Sequence, residues 1–196
     1  MADPGYITGD TAVLADGEAW VGIATNTVSG GSTALVTFTN PDDGSSLDWS
    51  QFMDLVLISY ARNGDGSANT MQMHFNNDTG ANYAIQNLYG DGADDTAYVA
   101  AAAAYFDFCW YPNTSHTANI FGCSVTHLFD INSGKYKSGI AQIADDNDGS
   151  GYVAVSTTTW KNQSPITEID IKDYSGDNIA AGSRFDLFGV LPRMVA

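Results

Sequence analysis

The side chains that offer chemistry in this sequence are mostly aspartates, and they cluster in loops. The segment DDNDGSG at 145–151 has the acid and amide alternation with a following glycine that calcium loops use. An EF-hand needs a metal-ligating acid where Gly149 stands and a glutamate where Ser156 stands, so that motif fails. We favour a solvated β-turn here and keep a calcium loop of another type as the alternative. The same two interpretations apply to DGADD at 91–95.

Other catalytic constellations are not recognisable. His74, His116 and His127 form neither an HxH nor an HExxH pattern, and we interpret them as ordinary structural histidines. The sequence contains no GxSxG elbow, no P-loop and no GxGxxG turn. Asp107, in YFDFCW, is the one acid in an apolar strand, and strand alternation leaves solvent exposure as an equal alternative to a buried role. We therefore predict a protein that is not an enzyme and has no cofactor or metal.

Aromatic residues offer a different chemistry, the stacking of sugar rings on an exposed platform. The four tryptophans, Trp20, Trp49, Trp110 and Trp160, are the candidates, together with ten tyrosines. In a β-sandwich, however, most large aromatic side chains belong to the core or to a subunit interface. Carbohydrate binding is therefore the minor interpretation of this feature.

The two cysteines, Cys109 and Cys123, leave two alternatives open. They form a disulfide if they are neighbours across a hairpin, or they are two buried thiols that pack as small apolar groups. The N-terminal sequence MADPGYITGD lacks the features of a secretory signal, and no apolar run reaches transmembrane length. We expect synthesis in a cytoplasm, which disfavours the disulfide.

The charge is strongly negative, with 23 acids against 7 bases and a net charge of −16. All the acids but Glu18 and Glu168 are aspartates, which favour turns and caps because the short side chain bonds the local backbone. The acidity is therefore predicted in loops. Such a surface repels phosphate and disfavours nucleic-acid binding. It suits solubility, cation-rich surroundings or a basic partner.

The elements that position these residues are predicted to be short strands separated by turns. Segments such as TALVTFT at 33–39 alternate apolar and polar residues, and MDLVLISYAR at 53–62 predicts a strand that is apolar on both faces at its centre. LDWSQF at 47–52 predicts one helical turn capped by Asp48. The alanine-rich stretch at 97–103 predicts a loop that leads into a strand from about residue 103. The whole predicts an all-β fold, an antiparallel β-sandwich or jelly roll of about ten strands. It forms a single domain over residues 19–196, after an extended N-terminal arm over residues 1–18.

The stretch FNNDTGANY at 75–83 raises the question of a binding loop or a structural turn. We predict that Phe75 ends one strand, that Tyr83 begins the next, and that the two rings pack together. The connecting turn uses Asx bonds and a glycine with free φ, and is built from Asn77, Asp78, Thr79 and Gly80. Asn76 and Asn82 are expected to bond the loop backbone. Arg62 is expected to pair with Asp78.

Several of these pieces resemble a β-rich domain of tailed-bacteriophage virion proteins. The similar segments are AWVGIATNTV followed by ALVTFTN, then DLVLISYARNGDGSANTMQMHFNNDTGANY, and the turn and strand AAGSRFDLFGV near the C-terminus. Together they cover about residues 19–190. Ser59 departs from the pattern, which has a bulkier or charged residue at that position.

The resemblance implies a virion structural protein with no catalytic residues. Such domains occur as capsid decoration (cement) proteins and as tips of fibres, and the sequence has no coiled-coil heptads or fibre repeat to build a shaft. The implied role is a decoration protein that binds the major capsid protein on the outer head surface of the virion after assembly in the host cytoplasm. The implied oligomer is a homotrimer, with no nucleic acid or membrane as partner. The alternative is a tail-fibre or appendage tip module that binds a host receptor or carbohydrate.

Overall fold

A computed structural model describes residues 20–45, 47–66 and 70–191. Over these residues the chain forms twelve β-strands, a single 3₁₀ turn and connecting loops. The strands form two sheets in which every neighbouring pair is antiparallel. The predicted all-β antiparallel sandwich is confirmed, with twelve strands where about ten were expected. The arm predicted over residues 1–18 lies outside the described residues.

The two sheets differ in width. The smaller sheet has four strands, in the spatial order β2 (Val36–Thr39), β11 (Glu168–Asp173), β4 (Thr70–Phe75) and β7 (Phe106–Trp110). The larger sheet has eight strands, in the spatial order β1 (Trp20–Thr27), β12 (Arg184–Val190), β3 (Asp54–Ala61), β8 (Gly122–Phe129), β9 (Lys137–Asp146), β10 (Gly151–Trp160), β5 (Tyr83–Gly90) and β6 (Asp95–Ala103).

The core lies between the sheets, and bulky residues of β7 fill much of it. Phe106 and Phe108 are fully buried there, and β7 contacts β8, β9 and β10 of the larger sheet. The larger sheet accommodates them with small residues. A Cβ added at Gly139 would lie 2.7 Å from the Phe106 ring, and one added at Gly122 would lie 2.5 Å from the Trp110 carbonyl oxygen. Close approach of β7 therefore explains the glycines at these two positions.

The alanine-rich segment 97–103 is a strand, so the prediction of a loop there was wrong. It belongs to β6, which pairs with β5 and forms one edge of the larger sheet, with Ala97 opposite Leu88. The ladder with β5 satisfies its backbone and outweighs the helix propensity of alanine. Nearly all of β6 is exposed on both faces.

The predicted helical turn is confirmed as a 3₁₀ turn over Trp49–Gln51. The Asp48 carboxylate caps it by accepting a hydrogen bond from the Ser50 N–H at 2.9 Å, and a second from the Gly44 N–H at 3.0 Å. The turn buries the Trp49 side chain in the core, so this short connection also closes one end of the sandwich.

Candidate functional site

The segment FNNDTGANY connects the two sheets and does not form a hairpin. β4 ends at Phe75 in the smaller sheet, and β5 begins at Tyr83 in the larger sheet, as the sequence predicted for the strand ends. The two rings pack with centroids 6.1 Å apart, which confirms the predicted contact. The Tyr83 hydroxyl accepts a hydrogen bond from the Phe75 N–H and donates one to the Asp78 carbonyl. This connection therefore fastens one sheet to the other.

The predicted turn residues, Asn77, Asp78, Thr79 and Gly80, lie together in this connection. Positive φ falls on Asn76 (51°) and Asn77 (58°), so the expectation that Gly80 supplies it was wrong. Asparagine tolerates this region better than most residues, because its side chain bonds locally. The Asn76 carboxamide oxygen accepts hydrogen bonds from the Thr167 and Glu168 N–H groups, and the Asn77 carboxamide donates to the Glu168 carboxylate.

Asp78 is the centre of this connection. Its carboxylate accepts hydrogen bonds from the Trp160 indole Nε1 at 2.7 Å, the Gly80 N–H at 2.9 Å and the Asn82 carboxamide at 3.0 Å. Burial raises the pKa of Asp78, but these hydrogen bonds lower it by more, so the net pKa lies below its ordinary value. All the partners belong to the chain itself, and the arrangement is that of a structural support.

Arg62 does not pair with Asp78, which corrects the expected ion pair. Its guanidinium donates to four backbone carbonyls of the loop between β7 and β8: those of Asn113, His116, Thr117 and Ile120. Distances run from 2.7 to 3.0 Å. Four donors aimed at four carbonyls hold this loop in one conformation.

The histidines have separate structural surroundings. His74 is buried, and desolvation lowers its pKa to about 4. His127 lies 2.8 Å from the Asp54 carboxylate and stacks on Phe129, while His116 Nδ1 accepts a hydrogen bond from the Asn113 N–H. Among the described residues, no three side chains of His, Cys, Asp or Glu converge to hold a metal ion.

The two acidic loops form turns. In 145–151, Asp145 is buried and accepts a hydrogen bond from the Asn147 carboxamide, and Asp146 caps the Gly149 N–H. In 91–95, the Asp91 carboxylate accepts hydrogen bonds from two backbone N–H groups. The contacts in 91–95 match the favoured solvated β-turn. The segment 145–151 is also a turn, but its Asp145 and Asn147 are buried, each with one side-chain oxygen that has no hydrogen-bond partner among the described residues, so the expected solvation was wrong there.

The tryptophans do not form an exposed platform. Trp49, Trp110 and Trp160 are buried, and only Trp20 of the four is exposed, with its ring against Phe188. The cysteines are both free; Cys109 is buried and Cys123 is exposed. Neither the disulfide nor a pair of buried thiols is therefore observed.

The outer face of the larger sheet carries the most unusual surface. One row of facing residues crosses six strands, from β6 to β3, and contains Ala97, Leu88, Val155, Gln142, Val125 and Ile58. The rows on either side of it add Val99, Ile140, Thr157, Val153, Ala144 and Cys123. Exposure is large for an apolar set: 72% for Val99, 70% for Val153 and 59% for Leu88. We call these twelve residues the neutral face.

These twelve residues include no Asp, Glu, Lys or Arg, although the chain carries 23 acids; Asp95 borders them at the β6 edge, His127 borders them on β8, and Asp186 follows Ile58 in the central row. With strands about 4.8 Å apart and a two-residue repeat of about 6.7 Å, the twelve residues cover on the order of 400 Å². The largest apolar patch of a typical monomer covers about 300–600 Å² and is often functional. A standard protein–protein interface buries about 800 Å² of each partner. The neutral face therefore has about half the area that one partner contributes to a standard interface.

Sequence reasoning missed the neutral face because alternation does not say which set of residues points inward. In β10 the buried residues include Ser156 and Thr158, while Val153 and Val155 point outward. The inner side accepts only small residues where β7 is close, as at Gly139. The larger apolar residues are therefore left on the outside.

No protein-family model matches this sequence, and no curated protein matches it. Among the residues that the structure describes, no helix is long and apolar enough to cross a membrane.

Proposed function

We propose that this chain is a decoration (cement) protein of a tailed bacteriophage, a structural protein that binds and stabilises the outer surface of the head. In this proposal it acts as a homotrimer on the major capsid protein and has no enzymatic activity. The observation that carries the proposal is the neutral face, an uncharged and largely apolar set of twelve residues that covers about 400 Å² on a strongly acidic protein.

The charge distribution favours another copy of the chain as the occupant of the neutral face. Each copy carries a net charge of −16, so two copies approach with least repulsion where neither presents acids. A basic partner would instead be matched by acidic side chains on the contacting surface. In a cyclic trimer the contacts are heterologous, so the neutral face of each copy packs on a different surface of the next copy, whereas contact between two neutral faces would give a two-fold dimer.

The virion assignment draws on the resemblance of residues 19–190 to phage virion domains. The acidic remainder of the surface suits a position outside a shell, because it repels the phosphates of the packaged DNA. The alternative role, a tail-appendage tip that binds a receptor or carbohydrate, has only Trp20 of the four tryptophans exposed but keeps exposed tyrosines, which are Tyr60, Tyr98, Tyr136 and Tyr174.

Charge insertion into the neutral face tests the proposal. Val155, at the centre of the face, is replaced by lysine, and Leu35, an exposed leucine outside the face, is replaced by lysine as the matched control. Light scattering should show that the wild type and the Leu35→Lys variant are trimers, whereas Val155→Lys is a monomer with an unchanged circular dichroism spectrum. A wild type that is monomeric at all concentrations, or a trimer that survives Val155→Lys, would contradict self-association through this face.

A further inference from the structure

A second surface feature is a cleft of about 250 Å³ on the inner side of the sheet, where β5 and β6 meet β7. Its floor holds Asn87 and Asp107, both buried. Its walls are aromatic. Tyr98 lies on β6, Tyr105 lies in the connection from β6 to β7, Trp110 lies on β7, and Tyr174 follows β11. The volume lies below the range of about 300–1,000 Å³ that drug-sized ligands need, so the cleft suits a group of side-chain size.

The floor of the cleft presents acceptors. The Asp107 carboxylate accepts hydrogen bonds from the Asn87 carboxamide at 2.7 Å and from the Trp110 indole N–H at 3.3 Å. The Asn87 amide nitrogen is the donor in the first of these bonds. The carboxamide oxygen of Asn87 is buried and has no hydrogen-bond partner in the described part of the chain. Each carboxylate oxygen can accept more than one hydrogen bond. A ligand that completes this floor must therefore bring donors.

The electrostatics of the cleft favour a positive charge on those donors. Asp107 is 6% exposed, and none of the described residues that line the cleft is Lys, Arg or His. A buried carboxylate without a cation is costly, and desolvation raises the pKa of Asp107 to about 6. Aromatic rings attract cations that lie within about 6 Å of their centres, and a group held in so small a cleft lies against them. The net charge of −16 adds attraction for cations and repulsion for anions.

We propose that this cleft binds a primary alkylammonium group, such as the end of a lysine side chain, with the N–H donors on Asn87 Oδ1 and the Asp107 carboxylate and the alkyl stem against the tyrosines. This site shares only the edge residue Ala97 with the neutral face and does not depend on the proposed function.

Ligand selectivity of the wild-type chain is the first test, and calorimetric titration measures it without a variant. n-Butylammonium should bind at neutral pH and bind more weakly as salt is added. Tetramethylammonium has the same charge but no N–H donor, so it should bind at least about tenfold more weakly than n-butylammonium. Methyl glucoside is titrated in the same way as a representative sugar ligand. Equal binding of the two cations, or preferential binding of the sugar, would overturn the proposal.

Two charge-removing variants then locate the site. Asp107→Asn keeps the side-chain shape and should weaken n-butylammonium at least tenfold, because a charged hydrogen-bond partner is lost. Asp148→Asn removes the same charge from an exposed turn and should leave the affinity unchanged. Tyr98→Ala, at a half-exposed position that the fold does not need, should weaken binding without loss of stability. Undiminished binding in both cleft variants would place the cation elsewhere and refute the assignment.

Discussion

Removal of the Asp78 carboxylate is the perturbation that best tests the structural role of the connection between the sheets. In Asp78→Ala the indole N–H of Trp160, a fully buried side chain, loses its acceptor. An unpaired buried donor costs about 1–3 kcal/mol. The bonds to Gly80 and Asn82 lie in an exposed loop and add about 0.5–1.5 kcal/mol together. We therefore expect the free energy of unfolding to fall by about 1.5–4.5 kcal/mol.

Urea unfolding followed by tryptophan fluorescence measures this loss, at one fixed chain concentration because any self-association stabilises the fold. Asp78→Asn retains an oxygen for the Trp160 indole and should lose only about 1 kcal/mol. The control Asp94→Ala removes the same charge from the exposed 91–95 loop and should change little. A loss in Asp78→Ala no larger than that in Asp94→Ala would refute the reasoning and reopen a binding role for this loop.

The pH dependence of the same variant has a definite sign. Because the pKa of Asp78 is lower in the folded chain than its ordinary value, the stabilisation is fully present above about pH 4. It is lost as the pH falls through the folded-state pKa. The stability difference between wild type and Asp78→Ala should therefore shrink under acid conditions, and a difference that grew instead would contradict the hydrogen-bond assignment.

Three further predictions concern single side chains. Lys137 is buried and its Nζ donates to three backbone carbonyls, so Lys137→Met should cost about 2–4 kcal/mol in urea unfolding, whereas Lys135→Met, at an exposed ion pair, should cost little. In the monomeric Val155→Lys variant, Cys123, a neutral-face residue, should react with a thiol reagent, whereas Cys109, whose pKa burial raises to about 12, should react only after unfolding; two fast thiols would contradict this. Because the pKa of Asp107 is raised in the folded chain, ionisation of this group destabilises the fold. The free energy of unfolding of Asp107→Asn relative to wild type should therefore increase as the pH rises from about 4 to 6 and then level off. A difference that is constant over this range would contradict a buried carboxylate that ionises.

Sequence patterns predicted the fold class and most strand ends because alternation and turn residues are local signals. The ends at Phe75 and Tyr83 and the cap at Asp48 follow from such signals. The strand at 97–103 was not predicted, because the local propensity of its alanines does not favour a strand. Its extended conformation depends instead on pairing with β5.

The candidate sites were less predictable than the fold because they depend on packing between distant segments. The outward position of Val153 and Val155 results from the close approach of β7 to the other side of the sheet. The cleft requires β5, β6 and β7 to meet, and in the sequence alone Asp107 is equally an exposed or a buried residue. The long-range partner of Arg62 was wrong for the same reason, since four loop carbonyls outcompete one carboxylate.

The measurement that tests the central claim most directly is mass photometry of the purified chain, alone and mixed with undecorated phage heads. The proposed function predicts a stable trimer that binds the heads until a fixed number of sites is filled, and Val155→Lys should abolish the trimer. A monomer that leaves the heads unchanged would contradict the decoration role.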